Sequence, residues 1–599
     1  MKELEYPFQS EYILKKRKSI KRALREELEG KKCLTKKIAI LGGSTTHDIK
    51  DMLELFLMNE GIVPEFYESE YNQFWQDVMF DNAELIEFAP DIIYIHTSSR
   101  NIRNFPGIQD SPEQVEALLE QEYQHFEVLW EKIASIYHCP IIQNNFELPF
   151  YRLLGNKDCA DVHGHSYFVT ALNQKLYAYS QQHTSFFVND IHYLASCYGL
   201  QKWADPFYWH MYKYACAVPA IPELAFNLSN IIKAVYGKNK KAFVLDLDNT
   251  LWGGVVGDDG AENIEIGQET PMAQLYSEFQ DYVKQHKELG ILLTINSKND
   301  MENALAGLNR PDSVLKSEDF LIIKANWENK DRNIKEIAAE LNIGTDALVF
   351  VDDNPAERNI VKMQVPDVAV PDMGDVVEYI IRLDRSGFFE ITQLSKDDYH
   401  RNEMYKANLE RSKQMASFEN YEEYLQSLEM RAEIGGFTPV YMSRIAQLTN
   451  KSNQFNLTTK RCSLADIEAI AADSNNITLY GKLEDKFGDN GVVSVVFGHL
   501  DTEEKNIFHI DLWLMSCRVL KRDMEKAMLD SLVEKCLAAG VNCIKGYYYP
   551  TAKNAMVKEF YATQGFDKVY EDEEGNTIWQ YKIDDSYEKK NKVIQIEEA

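Results

Sequence analysis

The stretch from Lys241 to Gly260, KAFVLDLDNTLWGGVVGDDG, constrains the fold more than any other part of this 599-residue chain. Four apolar or small residues, Ala242 to Leu245, precede Asp246, and such a short run before a polar turn indicates a buried strand of a parallel sheet. Asp246 and Asp248 follow where the strand ends, which is where open α/β sheets bind ligands. Two neighbouring carboxylates are costly to bury without a partner. A divalent cation removes that cost, and carboxylate oxygens suit Mg²⁺.

Later segments repeat the pattern of an apolar run that ends in polar residues. One run ends at Ser297, and another ends at the pair Asp352 and Asp353, with Lys330 between them in sequence. Helical segments separate the runs, and this alternation predicts a parallel sheet with right-handed crossovers. Trp252, close to Asp248 in sequence, either shields the site or belongs to the core.

The DxDxT motif and its companion segments resemble the haloacid dehalogenase (HAD) superfamily, and the string DLDNTLWGGVVGDDG resembles its FkbH-like branch. The resemblance implies that Asp246 is the nucleophile that takes a phosphoryl group and that Asp248 is the general acid/base. It also implies that the Ser297 hydroxyl binds phosphate and that Lys330 holds phosphate and nucleophile together. The implied Mg²⁺ ligands are Asp246, Asp248 through its backbone carbonyl, Asp352 and Asp353, with Asp352 preferred over Asp353 as a direct ligand. An aspartyl-phosphate divides one difficult displacement into two easier ones.

The sequence before the HAD-like motifs predicts a separate α/β domain. An apolar strand leads into Gly42-Gly43-Ser44 and then an amphipathic helix, which is the layout of an anion site or of a nucleophile on a tight turn. This resembles the start of SGNH hydrolases, although Gly43 stands where that family has Asp. The resemblance implies a second site at Ser44, with Asn101 in the oxyanion hole and a late Asp-x-x-His element. Two segments match that element in part, Asp190 to His192 and Asp205 to His210, and neither has the right spacing. A scaffold or binding domain is the alternative.

The end of the chain, from Asn554 to Phe566, resembles the final motif of GNAT acyltransferases. The acyl or CoA-like site that this implies comprises Asn456, Arg518, Arg522, Asn554 and Tyr561. However, Lys521 and Asp523 stand where the GNAT pyrophosphate loop has small residues, and bulk there keeps the backbone from the cofactor. The sequence therefore argues against acetyl-CoA and leaves a phosphopantetheine-like ligand or a carrier protein open.

Composition narrows the choice of compartment and partners. The net charge of −30 disfavours nucleic acid and anionic membranes. No segment approaches the roughly 20 apolar residues that span a bilayer, and the N-terminus lacks the apolar core of a signal peptide. The nine cysteines are scattered, with no CxxC pair, which argues for reduced thiols and against structural zinc. We expect a cytoplasmic protein that binds neither nucleic acid nor membrane.

The predicted fold class is α/β with three domains: an SGNH- or flavodoxin-like parallel sheet, a HAD-like Rossmannoid parallel sheet with a minimal cap, and a GNAT-like α+β domain. The predicted segments are a helical stretch at 1–36, the SGNH-like domain at 37–237, the HAD-like domain at 238–390, a charged helical linker at 391–430, the GNAT-like domain at 431–583 and a charged, frayed tail at 584–599.

Three functions follow from these features. The first is a Mg²⁺-dependent phosphatase or phosphotransferase that acts on a phosphorylated small molecule or a carrier-bound substrate. The second, implied by the FkbH-like resemblance, is dephosphorylation of 1,3-bisphosphoglycerate with transfer of the glyceryl group to an acyl carrier protein. That transfer needs a thiol, and Leu247 rather than Cys stands between the two aspartates. The third is a non-catalytic assembly protein, which the cost of burying unliganded carboxylates argues against.

Overall fold

The structure is a computed structural model, and it describes residues 1–31, 33–415, 417–452, 454–551, 553–584 and 586–598. Contacts divide the chain into two compact units. Unit 1 comprises 1–235 with 463–465, and unit 2 comprises 236–462 with 466–599. In the part of the chain that the structure describes, no helix combines the length and the apolar character that a membrane crossing requires.

Unit 1 is built on a parallel sheet of five strands in the order β2-β1-β3-β4-β5. The strands are β1 (Leu34–Gly42), β2 (Ile62–Glu68), β3 (Ile92–His96), β4 (Ile141–Asn144) and β5 (Phe186–Asn189). The helices are α1 (Ser10–Leu28), α2 (His47–Asn59), α3 (Phe74–Met79), α4 (Ala83–Phe88), α5 (Pro112–Tyr137), α6 (His165–Gln182), α7 (Ile191–Tyr198), α8 (Leu200–Trp203), α9 (Pro206–Tyr212) and α10 (Ile221–Val235). Helix α1 packs on α2 and α10 through the buried side chains of Ile13, Ile20 and Leu24.

The HAD-like part of unit 2 has a parallel sheet of four strands in the order β8-β7-β6-β9. The strands are β6 (Ala242–Leu245), β7 (Leu292–Ser297), β8 (Ile322–Ala325) and β9 (Leu348–Val351). The helices are α11 (Val256–Asp259), α12 (Pro271–Glu288), α13 (Met301–Leu308), α14 (Lys330–Glu340), α15 (Pro355–Gln364) and α16 (Tyr379–Arg385). Alternate residues of β6 enter different cores, Phe243 and Leu245 on one face and Ala242 and Val244 on the other. A strand buried on both faces accounts for the continuous apolar run in the sequence.

Only a short insertion separates the central strand β6 from helix α12. It contains the four-residue helix α11 and no strand beyond isolated bridges. The predicted HAD-like sheet with a minimal cap is therefore confirmed.

A charged helical segment follows, formed by α17 (Lys396–Tyr399), α18 (Arg401–Met415) and α19 (Tyr421–Ser427). Helix α18 is bound on two sides. Its Tyr405 is buried in the core around β9, and its Arg411 is 3% exposed and donates to Asp485 of the following sheet at 2.6 Å. The segment thus connects the two parts of unit 2 through buried contacts.

The rest of unit 2 is a mixed sheet in the order β16-β17-β15-β14-β13-β12-β10-β18, with β11 paired to β14. The strands are β10 (Arg431–Gly435), β11 (Phe455–Asn456), β12 (Asn476–Asp485), β13 (Gly488–Leu500), β14 (Ile507–Met515), β15 (Cys543–Tyr548), β16 (Asp567–Glu571), β17 (Thr577–Lys582) and β18 (Gln595–Glu598). The helices are α20 (Pro439–Lys451), α21 (Leu464–Ala472), α22 (Met524–Ala538) and α23 (Phe560–Thr563). Antiparallel pairs prevail, with parallel pairing at β14–β15 and β10–β18, so the predicted α+β class is confirmed.

The tail does not fray as predicted. Strand β18 pairs with β10, and Asp530 on α22, 1% exposed, anchors the segment before it. The Asp530 carboxylate accepts hydrogen bonds from the Tyr587 hydroxyl at 2.6 Å and from the backbone amides of Lys590 and Asn591 at 2.9 Å. A buried carboxylate with three donors holds the charged tail against the sheet.

Candidate active site

Asp246 stands at the carboxyl end of the central strand β6, as the sequence predicts. Its backbone amide donates to the Val351 carbonyl at 2.9 Å, which continues the pairing of β6 with β9 by one residue. The residue is only 6% exposed. Its carboxylate is therefore fixed at the sheet edge with little water around it.

Lys330 joins two strand ends by ion pairs. Its ammonium group lies 3.0 Å from Asp246 Oδ1 and donates to Asp352 Oδ2 at 2.6 Å. All three side chains are nearly buried. Burial alone would lower the pKa of Lys330, but the charges of Asp246 and Asp352 outweigh it and raise that pKa. The lysine is held in its charged form next to the predicted nucleophile.

Asp246, Asp352 and Asp353 can each place one carboxylate oxygen within 4.8 Å of the others. Burial, followed by the charge of Asp246, raises the pKa values of Asp352 and Asp353. Lys330 and the nearby Arg358, whose charge lowers the pKa of Asp353, supply two positive charges against these three carboxylates, which leaves an excess of negative charge in a poorly hydrated place. Hard oxygen donors with excess negative charge fit a Mg²⁺ ion. These three residues can hold one.

Asp248 is fixed by donors to both of its carboxylate oxygens. Oδ1 accepts from the Trp252 indole at 2.9 Å and from the Val256 amide at 3.0 Å, and Oδ2 accepts from Asn299 Nδ2 at 3.0 Å. Burial, followed by the nearby charge of Asp246, raises the pKa of Asp248. A raised pKa suits a group that both gives and takes a proton near neutrality.

The loop that follows Asp248 is held by hydroxyl groups, one from Tyr379 and one from its own Thr250. Asn249 has a left-handed backbone, with φ of 55°, a conformation that Asn tolerates better than most residues. The Tyr379 hydroxyl donates to the Asn249 carbonyl at 3.1 Å. The buried Thr250 Oγ1 accepts from the Asp353 amide at 3.1 Å, which connects the loops after β6 and β9.

Ser297, the predicted phosphate-binding residue, is the last residue of β7 and is 2% exposed. Its backbone carbonyl accepts from the Asn326 amide at 3.2 Å, so the loops after β7 and β8 meet beside it. The structure thus places every predicted HAD residue at the carboxyl edge of one sheet.

Sequence reasoning missed several residues of this site. It left Trp252 between shield and core, whereas the buried indole packs in the core and also donates to Asp248. It did not single out Asn299, Thr250 or Tyr379. The Lys-Asn pair after Ser297 was the available signal for Asn299, while the Tyr379 contact joins residues 130 positions apart and leaves no local pattern.

The predicted second site in unit 1 is only partly brought together. Asn101 Nδ2 donates to the Gly43 carbonyl at 2.9 Å, so Asn101 adjoins the Ser44 turn. Ser44 is 2% exposed, and its hydroxyl has no hydrogen-bond partner in the part of the chain that the structure describes. His210, on the short helix α9, is exposed and is therefore not bonded to Ser44. The serine has no base here, and the SGNH relationship stays a prediction.

The predicted acyl site is not assembled as a ligand site either. Arg522 is committed to structure, since it donates to Asp485 Oδ2 at 2.9 Å and to Asn408 Oδ1 at 2.7 Å. Asn554, fully buried, donates to the carbonyl groups of Asn456 at 2.9 Å and of Tyr549 at 3.0 Å. The Arg522 guanidinium is engaged in a buried ion pair, and the acyl or CoA-like site stays a prediction.

The three remaining residues of that prediction also make internal contacts. Asn456 Oδ1 accepts from the Thr459 amide at 2.8 Å, and Arg518 Nε donates to Ser516 Oγ at 3.2 Å. Tyr561 is fully buried, and its ring lies against Gly546, where a Cβ atom would approach the ring to 2.3 Å. Glycine at position 546 therefore makes room for this ring.

Comparisons with known proteins agree with this geometry. The family model described as the FkbH N-terminal domain matches residues 37–233. The chain is similar to the N-terminal part of the protein BF1531 from Bacteroides fragilis, a crystal structure that contains a phosphatase domain complexed with Mg. The two are 31% identical with a TM-score of 0.58, and the match covers 63% of this chain and 99% of that chain. No curated protein matches.

Solved acetyltransferase structures match a smaller part. The ribosomal-protein-S18-alanine N-acetyltransferase from Escherichia coli is 12% identical with a TM-score of 0.20, over 26% of this chain and 97% of that chain. A GNAT-family acetyltransferase from Streptococcus pneumoniae is 15% identical with a TM-score of 0.21, over 26% of this chain and 100% of that chain. Scores of this size carry no functional conclusion.

The parallel sheet, the small cap and the Asp–Lys–Asp cluster define a protein with a HAD phosphatase-like domain. The chain belongs to the FkbH-like family of the HAD superfamily.

Proposed function

We propose that this protein is a Mg²⁺-dependent phosphatase or phosphotransferase that forms an aspartyl-phosphate on Asp246. The observation that carries the proposal is the contact of one buried lysine, Lys330, with both Asp246 and Asp352 at the carboxyl edge of the sheet. A fold maintained for assembly alone gains nothing from three clustered carboxylates, since unliganded buried charge destabilises it.

The residues have separate tasks in the two half-reactions. A carboxylate oxygen of Asp246 attacks the phosphorus atom, and the bond to the leaving-group oxygen breaks. Asp248, in its protonated form, gives its proton to that oxygen. Asp248 then takes a proton from a water molecule that attacks the phosphorus, which releases phosphate and restores Asp246. In a phosphotransferase an acceptor hydroxyl replaces the water.

Lys330 and Ser297 stabilise charge on the transferring group. The Lys330 ammonium lies next to Asp246 before any substrate binds, so it needs no large rearrangement to meet the phosphoryl oxygens. The Ser297 hydroxyl stands at the end of the neighbouring strand. Mg²⁺, held by Asp246, Asp352 and Asp353, supplies further charge neutralisation when bound, and the Mg in the Bacteroides fragilis structure supports this choice of ion.

Glyceryl transfer would need a thiol acceptor as well. The residue between the two aspartates, Leu247, is fully buried in the core and offers no thiol, so the acceptor thiol would have to come from another place, such as a carrier protein. We therefore place phosphoryl chemistry first.

The test is phosphate release with Mg²⁺ from a panel of phosphorylated metabolites that includes 1,3-bisphosphoglycerate, with and without a phosphopantetheinylated carrier protein. We expect release without the carrier, and its loss by at least about a thousandfold in Asp246→Asn, because the amide is no nucleophile. Asp367→Asn, at an exposed carboxylate of the same domain, is the matched control and should keep full activity. Turnover retained in Asp246→Asn would contradict the proposal, and a mass gain on the carrier that requires the glyceryl donor would favour glyceryl transfer.

A further inference from the structure

Trp327 is the one exposed tryptophan among the eight of this chain, all of which lie in described residues. Its side chain is 71% exposed, whereas Trp252, also in the HAD-like domain, is fully buried. Trp327 belongs to the loop of residues 326–329, which runs from β8 to Lys330 at the start of α14. The largest apolar side chain on this loop therefore stands three residues from the site lysine and gains little from burial.

The indole is nonetheless held in place. Its Nε1 donates to Asp300 Oδ1 at 3.0 Å. Asp300 directly follows Asn299, which is 4% exposed and donates to Asp248. The carboxylate that holds Trp327 and the amide that holds the predicted acid/base thus belong to adjacent residues. The ring is attached to the loop after β7, and that loop also supplies the Asn299 donor to Asp248.

The loop that carries Trp327 is also fixed at its own base. The Asn326 amide donates to the Ser297 carbonyl at 3.2 Å, and Asn326 Oδ1 accepts from the Glu328 amide at 3.1 Å and from Asn333 Nδ2 at 2.9 Å. A large exposed ring on a loop fixed in this way loses little conformational freedom when a ligand covers it. No cap domain lies between β6 and β7 to provide such a surface.

We propose that Trp327 is the stacking surface for the leaving group, and that the substrates of this site carry a ring with an apolar face next to the phosphate ester. The inference rests on the proposed phosphoryl chemistry and adds its substrate class. An aromatic ring and the apolar face of a sugar ring can both stack on the indole in this way. An acyl phosphate without a ring has nothing to place on the indole.

The kinetic test compares wild type, Trp327→Ala and Trp327→Phe on three phosphate donors. Phenyl phosphate and glucose 1-phosphate carry the two kinds of ring, and acetyl phosphate carries none. In Trp327→Ala we expect kcat/KM to fall by about tenfold on at least one ring substrate, through KM, and to stay within about twofold on acetyl phosphate. The substrate that is affected identifies the kind of ring, and Trp327→Phe should restore most of the loss. Phe207→Ala, at an exposed ring of unit 1, is the control and should leave kcat/KM unchanged on all three donors.

A binding measurement separates this inference from the proposed chemistry. We expect phenylphosphonate or glucose 1-phosphate to change the intrinsic fluorescence of wild type in the presence of Mg²⁺, methylphosphonate to have a smaller effect, and the difference to vanish in Trp327→Phe. Absence of phosphate release from every donor would refute the proposed function while this titration still reported on Trp327. If Trp327→Ala lost equal kcat/KM on acetyl phosphate and on the ring substrates, or lost none on any donor, the inference would be overturned. It would also be overturned if 1,3-bisphosphoglycerate were the best substrate of wild type and Trp327→Ala turned it over equally well.

Discussion

The carboxyl edges of the two parallel sheets invite comparison, because the same topology serves different ends. Both edges place polar residues after buried strands, where open α/β folds bind ligands. At the HAD-like edge, Lys330 contacts two carboxylates from different strands. At the unit 1 edge, Ser44 has no partner in the described chain and His210 is exposed. The sheet topology thus determines where a ligand site can form, whereas phosphoryl chemistry also requires opposite charges within bonding distance of one another.

Several polar groups of unit 1 instead form a neutral hydrogen-bond network with one another. The Tyr94 hydroxyl donates to Asn144 Oδ1 at 2.9 Å, and the same hydroxyl and Asn144 Nδ2 each lie 2.9 Å from His96 Nδ1. Burial lowers the pKa of His96 to about 4, so this imidazole is neutral at pH 7. A neutral network of this kind fixes a fold without an excess of charge for a ligand to neutralise.

The largest difference between the edges should follow removal of a lysine. Lys330→Gln leaves Asp246 and Asp352 buried without their cation. We expect phosphate release to fall by about 100- to 1,000-fold and the free energy of unfolding in EDTA to fall by about 3–5 kcal/mol. Lys175→Gln in unit 1 breaks a partly exposed ion pair with Glu120 and should cost less than about 1 kcal/mol. Urea titrations of both variants measure these free energies of unfolding. Equal losses in Lys330→Gln and Lys175→Gln would show that the two edges do not differ in this respect.

Metal dependence should be confined to the HAD-like edge. Asp352→Asn keeps the shape of the side chain and removes one charged oxygen donor. We expect the Mg²⁺ concentration for half-maximal phosphate release to rise at least about tenfold. An unchanged Mg²⁺ titration would transfer the ligand role to Asp353, and Asp353→Asn is therefore the matched variant.

Unit 1 should make the free energy of unfolding depend on pH. Burial raises the pKa of Glu147 to about 7, while its hydrogen bonds from Ser99 and the nearby Arg100 lower it less strongly. The folded state thus binds a proton that the unfolded state releases near pH 4.5. Stability from this group is present below pH 4.5 and is lost as pH rises to about 7, by up to about 3 kcal/mol.

Thermal unfolding of Glu147→Gln from pH 4.5 to 8 checks the effect. We expect a flatter pH profile than that of wild type. A profile of unchanged slope would show that Glu147 is not the responsible group.

The smallest effect should follow Ser44→Ala. This variant should release phosphate at the wild-type rate within about twofold, because no described contact joins Ser44 to a base. Assays of wild type and Ser44→Ala on p-nitrophenyl acetate complete the comparison. An esterase activity that the substitution abolishes would show that the unit 1 edge is catalytic after all.

The sequence suffices for the residues at the strand ends of the HAD-like site because each of them follows an apolar run. Asp246, Ser297 and Asp352 are marked by strands that end beside them, and parallel pairing brings strand ends together. The same reasoning fails where a contact joins distant segments. Arg522 looks like a free cation in its own loop, yet Asp485 binds it from a different strand.

The tail shows the same limit. Its composition predicts solvation, and a single buried acceptor, Asp530, reverses that outcome. The strand, glycine pair and helix around Ser44 follow from local pattern, which carries no information on whether a histidine reaches Ser44. Local pattern predicts strands and turns, and the partners of a side chain depend on packing between segments that the pattern does not contain.

Helix α18 has a consequence for how unit 2 melts and how it can be divided. Its Tyr405 fills part of the HAD-like core, and its Arg411 shares Asp485 with Arg522 beneath the mixed sheet. A cut before this helix would leave a cavity in the HAD-like core where Tyr405 packs, and a cut after it would leave Asp485 with one of its two arginine partners. The two halves of unit 2 should therefore denature in one cooperative transition, and neither half cut at this helix should match the stability of the intact chain.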